Sequence, residues 1–206
     1  MELQLALDRL TRDECIQIVK ETEHAIDRIE VGTGVIKEYG MAIVREMKEL
    51  FPNKKIVADM KTCDAGKHEA RQAFTGGADI TTVMAFSSDL TIKDTLDIAK
   101  QTGNQVMIDL LEVHDKERIK ELLDLGVESV SLHVGKDKQT EGNFNTDLFS
   151  LVKGLDVDVT VAGGINLNTL PVIILEKPDT IIVGSAITKA ENPGEVASEM
   201  RKLVQM

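Results

Sequence analysis

The 206-residue chain has no tryptophan, one tyrosine and five phenylalanines. Its core must therefore be aliphatic, and a hydrophobic content of 42% is ample for one. Cysteine is almost absent. Cys15 and Cys63 are far apart, fit no metal-ligand spacing and follow no signal peptide, which excludes a disulfide framework and points to a reduced, cytoplasmic setting. No apolar run approaches the roughly 20 residues of a membrane-spanning helix. Positive charge is also short, with 24 Lys and Arg against 35 Asp and Glu and a formal charge of -11. Nucleic acid and anionic membrane surfaces both require a basic footprint, so neither is expected as a partner. An anionic substrate must then be caught by a local cluster of donors. With no low-complexity stretch and no dividing linker, residues 1–206 read as one domain.

What is present is an alternation of short apolar strands with amphipathic helices. The expected strands are Leu3 to Leu7, Arg28 to Val31, Lys55 to Ala58, Ile80 to Val83, Gln105 to Ile108, Ser129 to Leu132, Val157 to Val161 and Thr180 to Val183. They recur about every 25 residues, each followed by helical pattern, which predicts an α/β fold of the (β/α)₈ barrel type. Thr11-x-x-Glu14 reads as a capping box, Gly103 and Gly126 as helix C-terminal caps, and Asn192-Pro193-x-Glu195 as the start of the last helix. A doubly wound open sheet is the competitor. It is weakened because no Gly-x-Gly-x-x-Gly follows the first strand.

The strand ends carry the chemistry. They read Asp8, Glu30, Asp59 with Lys61, Asp109, His133, Gly163-Gly164 and Gly184-Ser185, and a barrel gathers such ends at one mouth. Alternation along the third strand should put Asp59 and Lys61 on the same side. The loops after strands seven and eight, Gly163-Gly164 and Gly184-Ser185, are where barrels commonly bind phosphate through backbone N–H groups. Asp8, Glu30, Asp59 and Asp109 crowded together would repel one another unless a cation compensates. An all-oxygen donor set suits Mg²⁺, with Glu30 and Asp59 on neighbouring strands as the expected ligands. Zinc is disfavoured, since His133 is the one nitrogen donor offered at the strand ends.

Each residue also has a plainer reading. Asp8 could cap backbone amides, and Asp64 could be the N-cap of a helix over Ala65 to Phe74, the favoured reading from its position alone. His133 could be a core histidine, but its place at a strand end before Gly135 favours function. His24, His68 and His114 are expected to be solvated. Cys63 has no base placed for it. Asp115-Lys116-Glu117-Arg118 reads as a solvated helix face.

The segment Asp59-Met60-Lys61-Thr62-Cys63-Asp64 carries an Asp-x-Lys-x-x-Asp signature that resembles the orotidine monophosphate decarboxylase superfamily. Within it, the whole chain resembles the 3-hexulose-6-phosphate synthase family, through Leu5-Ala6-Leu7-Asp8, Ile29-Glu30-Val31-Gly32-Thr33, Asp64-Ala65-Gly66, Gly77-Ala78-Asp79, His133-Val134-Gly135 with Asp137 and Gln139, Ala162-Gly163-Gly164-Ile165 and Val183-Gly184-Ser185-Ala186-Ile187-Thr188. The resemblance implies a Mg²⁺-dependent homodimer with active sites at the subunit interface. Glu30 and Asp59 would bind the metal, Lys61 and Asp64 would contact substrate, and Asp64 would come from the partner. The implied reaction is addition of formaldehyde to the phosphorylated ketose D-ribulose 5-phosphate, with His133 as proton shuttle beside Asp8, Lys61 and Asp64, and with Asp109 on the substrate.

The sister family, 3-keto-L-gulonate-6-phosphate decarboxylase, has His-Arg-Ser-Arg after strand six and Gly-Arg-Ser after strand eight. Here those places read His133-Val134-Gly135-Lys136 and Gly184-Ser185-Ala186, which favours the synthase, while Lys136 falls where the second arginine would be. A phosphopentose epimerase would want paired acid/base groups and more histidine. A non-catalytic sugar-phosphate binder would be expected to have a broken acidic set.

Overall fold

The strand spacing closes a barrel. The computed structural model describes residues 1–139 and 146–205. Eight parallel strands run in order, with β1 hydrogen-bonded to both β2 and β8. They are β1 (Glu2–Leu7), β2 (Arg28–Val31), β3 (Lys55–Thr62), β4 (Ile80–Met84), β5 (Gln105–Asp109), β6 (Ser129–His133), β7 (Asp158–Ala162) and β8 (Thr180–Val183). The helices are α1 (Arg12–Thr22), α2 (Thr33–Tyr39), α3 (Met41–Leu50), α4 (Gly66–Thr75), α5 (Asp89–Thr102), α6 (Lys116–Asp124), α7 (Leu170–Ile174), α8 (Ser185–Thr188) and α9 (Pro193–Val204). This is a (β/α)₈ barrel, and no helix among the described residues is long and apolar enough to cross a membrane.

Two apolar layers result from the two faces of each strand. Outward residues such as Leu3, Leu5, Leu7, Ile29, Ile56 and Ile108 are fully buried against the helices. Burying each such side chain contributes about 1.5–3 kcal/mol. Inward residues Ala6, Val57, Ile80, Met107, Ala162 and Ile182 fill the barrel interior, so it is a packed plug that floors the mouth.

The punctuation behaves largely as read. Thr11 and Glu14 form the reciprocal capping box of α1, Gly103 caps α5 in the left-handed region, and Pro193 opens α9. Three expectations need correction. The crossover after β6 carries 3₁₀ turns at Lys136–Lys138 and Thr146–Leu151 among the described residues instead of an α-helix. The N-cap of α4 is Ala65, at φ +53 and without a side-chain capping bond, so Asp64 does not cap that helix. Nor is Arg118 a solvated charge: its guanidinium donates to the Ala85 and Ser87 carbonyls and pins the loop after β4.

Candidate active site

Side chains two residues apart on a strand share a face, so the inward positions can be followed upward from the plug. Ala6 is succeeded by Asp8, Val57 by Asp59, Met107 by Asp109 and Ser131 by His133. On β1, β3 and β5 the interior turns from apolar to ionisable within one step at the C-terminal end, and on β6 from a serine to a histidine. These residues, with Glu30, Lys61, Gly163, Gly164, Gly184 and Ser185, line a cavity of about 890 Å³ at the barrel mouth. Every expected site residue except Asp64 is there. Asp64 is exposed on the loop between β3 and α4 and does not line this cavity.

Asp59 and Lys61 do lie on one side, but not through simple alternation. The β3–β4 register shifts between Ala58 and Thr62, and Lys61 takes φ +48. A bulge re-aims the side chain. Lys61 Nζ lies 3.1 Å from Asp59 Oδ2 and 2.8 Å from Asp109 Oδ2. Burial works against the ammonium, yet the charges of Asp59 and Asp109 outweigh it and hold Lys61 above its ordinary pKa. The ammonium is therefore a fixed positive charge.

Asp109 continues the chain of contacts. It lies 3.0 Å from His133 Nδ1, and its Oδ1 accepts the Leu111 N–H at 2.9 Å. Burial alone would push this carboxyl up, but the His133 hydrogen bond, then the charges of His133 and Lys61, hold it down at about 2. An ionised carboxylate can only accept, so Nδ1 of His133 carries the proton of that bond. With Nδ1 engaged by Asp109, Nε2 is the ring nitrogen left to exchange a proton with a substrate.

The other acids are uncompensated. Glu30 is deeply buried, and burial, then repulsion from Asp59 and Asp8, pushes it up to about 8 despite the 2.7 Å bond from Gln4 Nε2. Asp8 opens onto the cavity, and removal from bulk water followed by repulsion from Asp59 raises it as well. Its carboxylate occupies the space beside Gly32, where a Cβ would lie 2.2 Å from Asp8 Oδ1. Among the described residues no three His, Cys, Asp or Glu form a ready-made metal cage. Glu30 and Asp59 on neighbouring strands offer carboxylate oxygens, the donor type Mg²⁺ takes together with water and substrate oxygens. The surplus of carboxylate charge around Glu30 and Asp59 is what such an ion would neutralise.

The opposite rim is backbone. Gly163 has φ +109, and a Cβ there would lie 2.3 Å from the Val134 carbonyl, so only glycine fits. Gly164 follows at φ +67, and Gly184 and Ser185 begin the short α8 beside it. The rim also carries Arg9, Lys136, Lys138 and Lys189, which sequence reading did not assign to the site apart from Lys136. Also missed were Gln4 and two threonines. Thr33 donates to Asp59 O at 2.7 Å and is 2.8 Å from Asp59 Oδ2, and Thr82 donates to Asp59 Oδ1 at 2.8 Å. The period-2 inward register of β1 and β4 was the available signal for Gln4 and Thr82.

A model of the orotidine 5'-phosphate decarboxylase / HUMPS family matches residues 1–200. The chain belongs to this family. It is 42% identical over 207 residues to a 3-hexulose-6-phosphate synthase from Bacillus subtilis (strain 168), covering 99% of each chain. The crystal structure of 3-hexulose-6-phosphate synthase from Salmonella typhimurium superposes with a TM-score of 0.96 at 36% identity, over 100% of this chain and 99% of that one. That of 3-keto-L-gulonate-6-phosphate decarboxylase from Vibrio cholerae O1 biovar El Tor follows at 0.88 and 27%, over 99% and 97%. Both branches of the family therefore share this backbone, and full-length identity is higher on the synthase side.

Proposed function

We propose that this chain is a 3-hexulose-6-phosphate synthase, adding formaldehyde to D-ribulose 5-phosphate by a Mg²⁺-dependent aldol reaction. Its class, a lyase acting on carbon–carbon bonds, is common to its relatives on both sides. The observation that carries the reading is the continuous Asp59–Lys61–Asp109–His133 contact chain at the barrel mouth. It pairs a fixed positive charge with a base whose tautomer is set.

The substrate's phosphate would rest on the Gly163-Gly164 and Gly184-Ser185 backbone, which fixes the ketose carbons against the far wall. Nε2 of His133 removes a proton from C1, and negative charge develops on the adjacent oxygens as an enediolate. Lys61 stands where that charge grows and needs no reorganisation, because both its carboxylate partners already hold it. Mg²⁺, held by Glu30 and Asp59, would supply Lewis-acid stabilisation of the same charge. C1 then attacks the formaldehyde carbon, and the proton is returned to the new alkoxide. Asp8 lines the acidic wall opposite His133 and orients hydroxyl groups of the sugar.

Asp64 would act across a homodimer. The Ser87 hydroxyl donates to Thr62 O at 3.2 Å, which seats the loop after β4 beside the loop that carries Asp64. Phe86 is 60% exposed next to Ser87, and Leu90 is 69% exposed on the first turn of α5. An apolar, solvent-facing patch of this kind beside a charged loop suits a subunit contact. Decarboxylation of 3-keto-L-gulonate 6-phosphate is the second reading, because its enediolate needs the same groups. Lys136 favours it, a cation on the cavity rim 3.1 Å from Gln139 Oε1. The test is a side-by-side assay with Mg²⁺ of formaldehyde loss with ribulose 5-phosphate and of CO₂ release from the keto acid. Formaldehyde loss alone is expected; dominant CO₂ release would replace the first reading with the second.

A further inference from the structure

We propose that Thr82 is the positioning residue of this site, fixing Asp59 and Lys61 together through one hydroxyl group. It lies on β4, a strand that offers no charge to the mouth. Ala58 pairs with Thr81 and Thr62 with Val83, so Asp59, Met60 and Lys61 face Thr82 alone. Two surplus residues must be accommodated at that point.

The hydroxyl resolves the mismatch. Its oxygen accepts the Lys61 backbone N–H at 2.9 Å, and its proton goes to Asp59 Oδ1 at 2.8 Å. Asp59 Oδ1 in turn accepts from Lys61 Nζ at 3.2 Å, which closes a ring of three contacts from the Lys61 backbone to its own ammonium. The Lys61 amide and ammonium can only donate, so Thr82 Oγ1 accepts from the one and Asp59 Oδ1 from the other, and the Thr82 proton is left for Asp59. Thr82 is 1% exposed, so water does not stand in for it. Lys61 adopts φ +48, a region non-glycine residues avoid, and the bulge has no ladder bond to pay for that choice. The amide that would be orphaned there is the one Thr82 receives. A single hydroxyl thus selects the backbone conformation that aims the ammonium and also orients the carboxylate it is aimed at.

The inference rests on the reading of Asp59 as metal ligand and Lys61 as charge partner, and its test separates the two. Thr82→Val keeps the shape and removes the hydroxyl; Thr82→Ser keeps the hydroxyl. Thr81→Val is a packing control on the opposite face, since Thr81 reaches the Ala58 carbonyl only at 3.4 Å. In Thr82→Val, kcat is expected to fall roughly 100-fold, the cost of a displaced catalytic group, with KM for the ketose phosphate within about twofold of the parent. Mg²⁺ affinity by calorimetry should weaken at least about tenfold, as for other residues behind a metal ligand. The Lys61 amide should exchange with solvent at least about tenfold faster by NMR. Thr82→Ser should stay within about threefold of the parent in every readout. Unchanged kcat and amide exchange in a folded Thr82→Val, or an equal loss in Thr81→Val, overturns the proposal. If Thr82→Val fails to fold, Thr82→Ala against Thr82→Ser decides on the same criteria. A parent protein inactive on formaldehyde would sink the proposed function alone, since the exchange and calorimetric arms still report on Thr82.

Discussion

Without a bound cation, stability should depend on pH through Glu30. Its carboxyl sits at about 8 in the folded chain against an ordinary value of 4.5, with burial the largest cause and Asp59 and Asp8 next. A group whose folded pKa is raised contributes fully below its unfolded value, and that contribution is lost as pH climbs through the folded one. The rise of about three and a half pH units, at about 1.4 kcal/mol each, is worth about 5 kcal/mol in total. About 3 kcal/mol of it falls between pH 5.5 and 8.5, which for a chain of this size is roughly 6–12 °C in Tm. In EDTA the parent should lose that much more stability across the window than Glu30→Gln, in which nothing ionises and the Gln4 Nε2 donor keeps an acceptor. Added Mg²⁺ should shrink the difference, since a cation bound at Glu30 favours its charged form at neutral pH. Urea or thermal unfolding at the two pH values, with EDTA and with Mg²⁺, measures all four arms. Parallel pH profiles for parent and Glu30→Gln in EDTA would refute the reasoning.

Asp109 predicts the opposite slope. Its carboxyl is depressed to about 2, so its contribution of about 2 kcal/mol is present above its unfolded pKa and is lost as pH falls through about 2. Acid unfolding should therefore be steeper in the parent than in Asp109→Asn, and equal steepness would discount the His133 contact. Lys61→Ala and Asp64→Ala should each be nearly inactive, yet mixing them with subunit exchange should restore up to about a quarter of parental activity, the statistical share of intact sites in a symmetric dimer. No recovery despite demonstrated exchange would rule out the shared site. Gly163→Ala forces a Cβ to 2.3 Å from the Val134 carbonyl at φ +109. It should raise KM for the sugar phosphate at least about tenfold, because the strained backbone, at about 1–3 kcal/mol, must move away from the phosphate. An unaltered KM would remove that loop from the phosphate site.

The barrel was legible because strand, helix and period carry independent signals that agree. β2 and β8 have the bounds their β-branched runs suggest, and β5 and β6 each extend by the one residue, Asp109 or His133, that carries the site. Charge at a strand's last position obscures its end, since propensity alone disfavours Asp in a strand. The crossover after β6 was misread for a related reason. Helical pattern was extrapolated from the other repeats into Lys136–Lys138, where a 3₁₀ turn follows Gly135.

The site was legible to the depth of its charges and no further. Acids and a histidine at strand ends announce themselves, because few structural roles explain them there. Gln4, Thr33 and Thr82 do not, because a buried Gln or Thr is ordinary in a strand and its importance depends on which carboxylate lies opposite. That partner is fixed by register, and the decisive register here is irregular: a regular β3–β4 ladder would have set Asp59 and Lys61 two steps apart on one face with both their backbones paired. The bulge instead leaves the Lys61 N–H for Thr82 and turns Lys61 to φ +48. Asp64 marks the same boundary from the other side. Its place immediately before the helix expected over Ala65 to Phe74 suggested a helix cap, but Ala65 in the left-handed region takes that position and Asp64 is exposed. Because the single chain uses this carboxylate in neither a cap nor its own cavity, the role proposed for it depends on a second chain, which is why the exchange experiment, more than any property of the isolated subunit, tests that role.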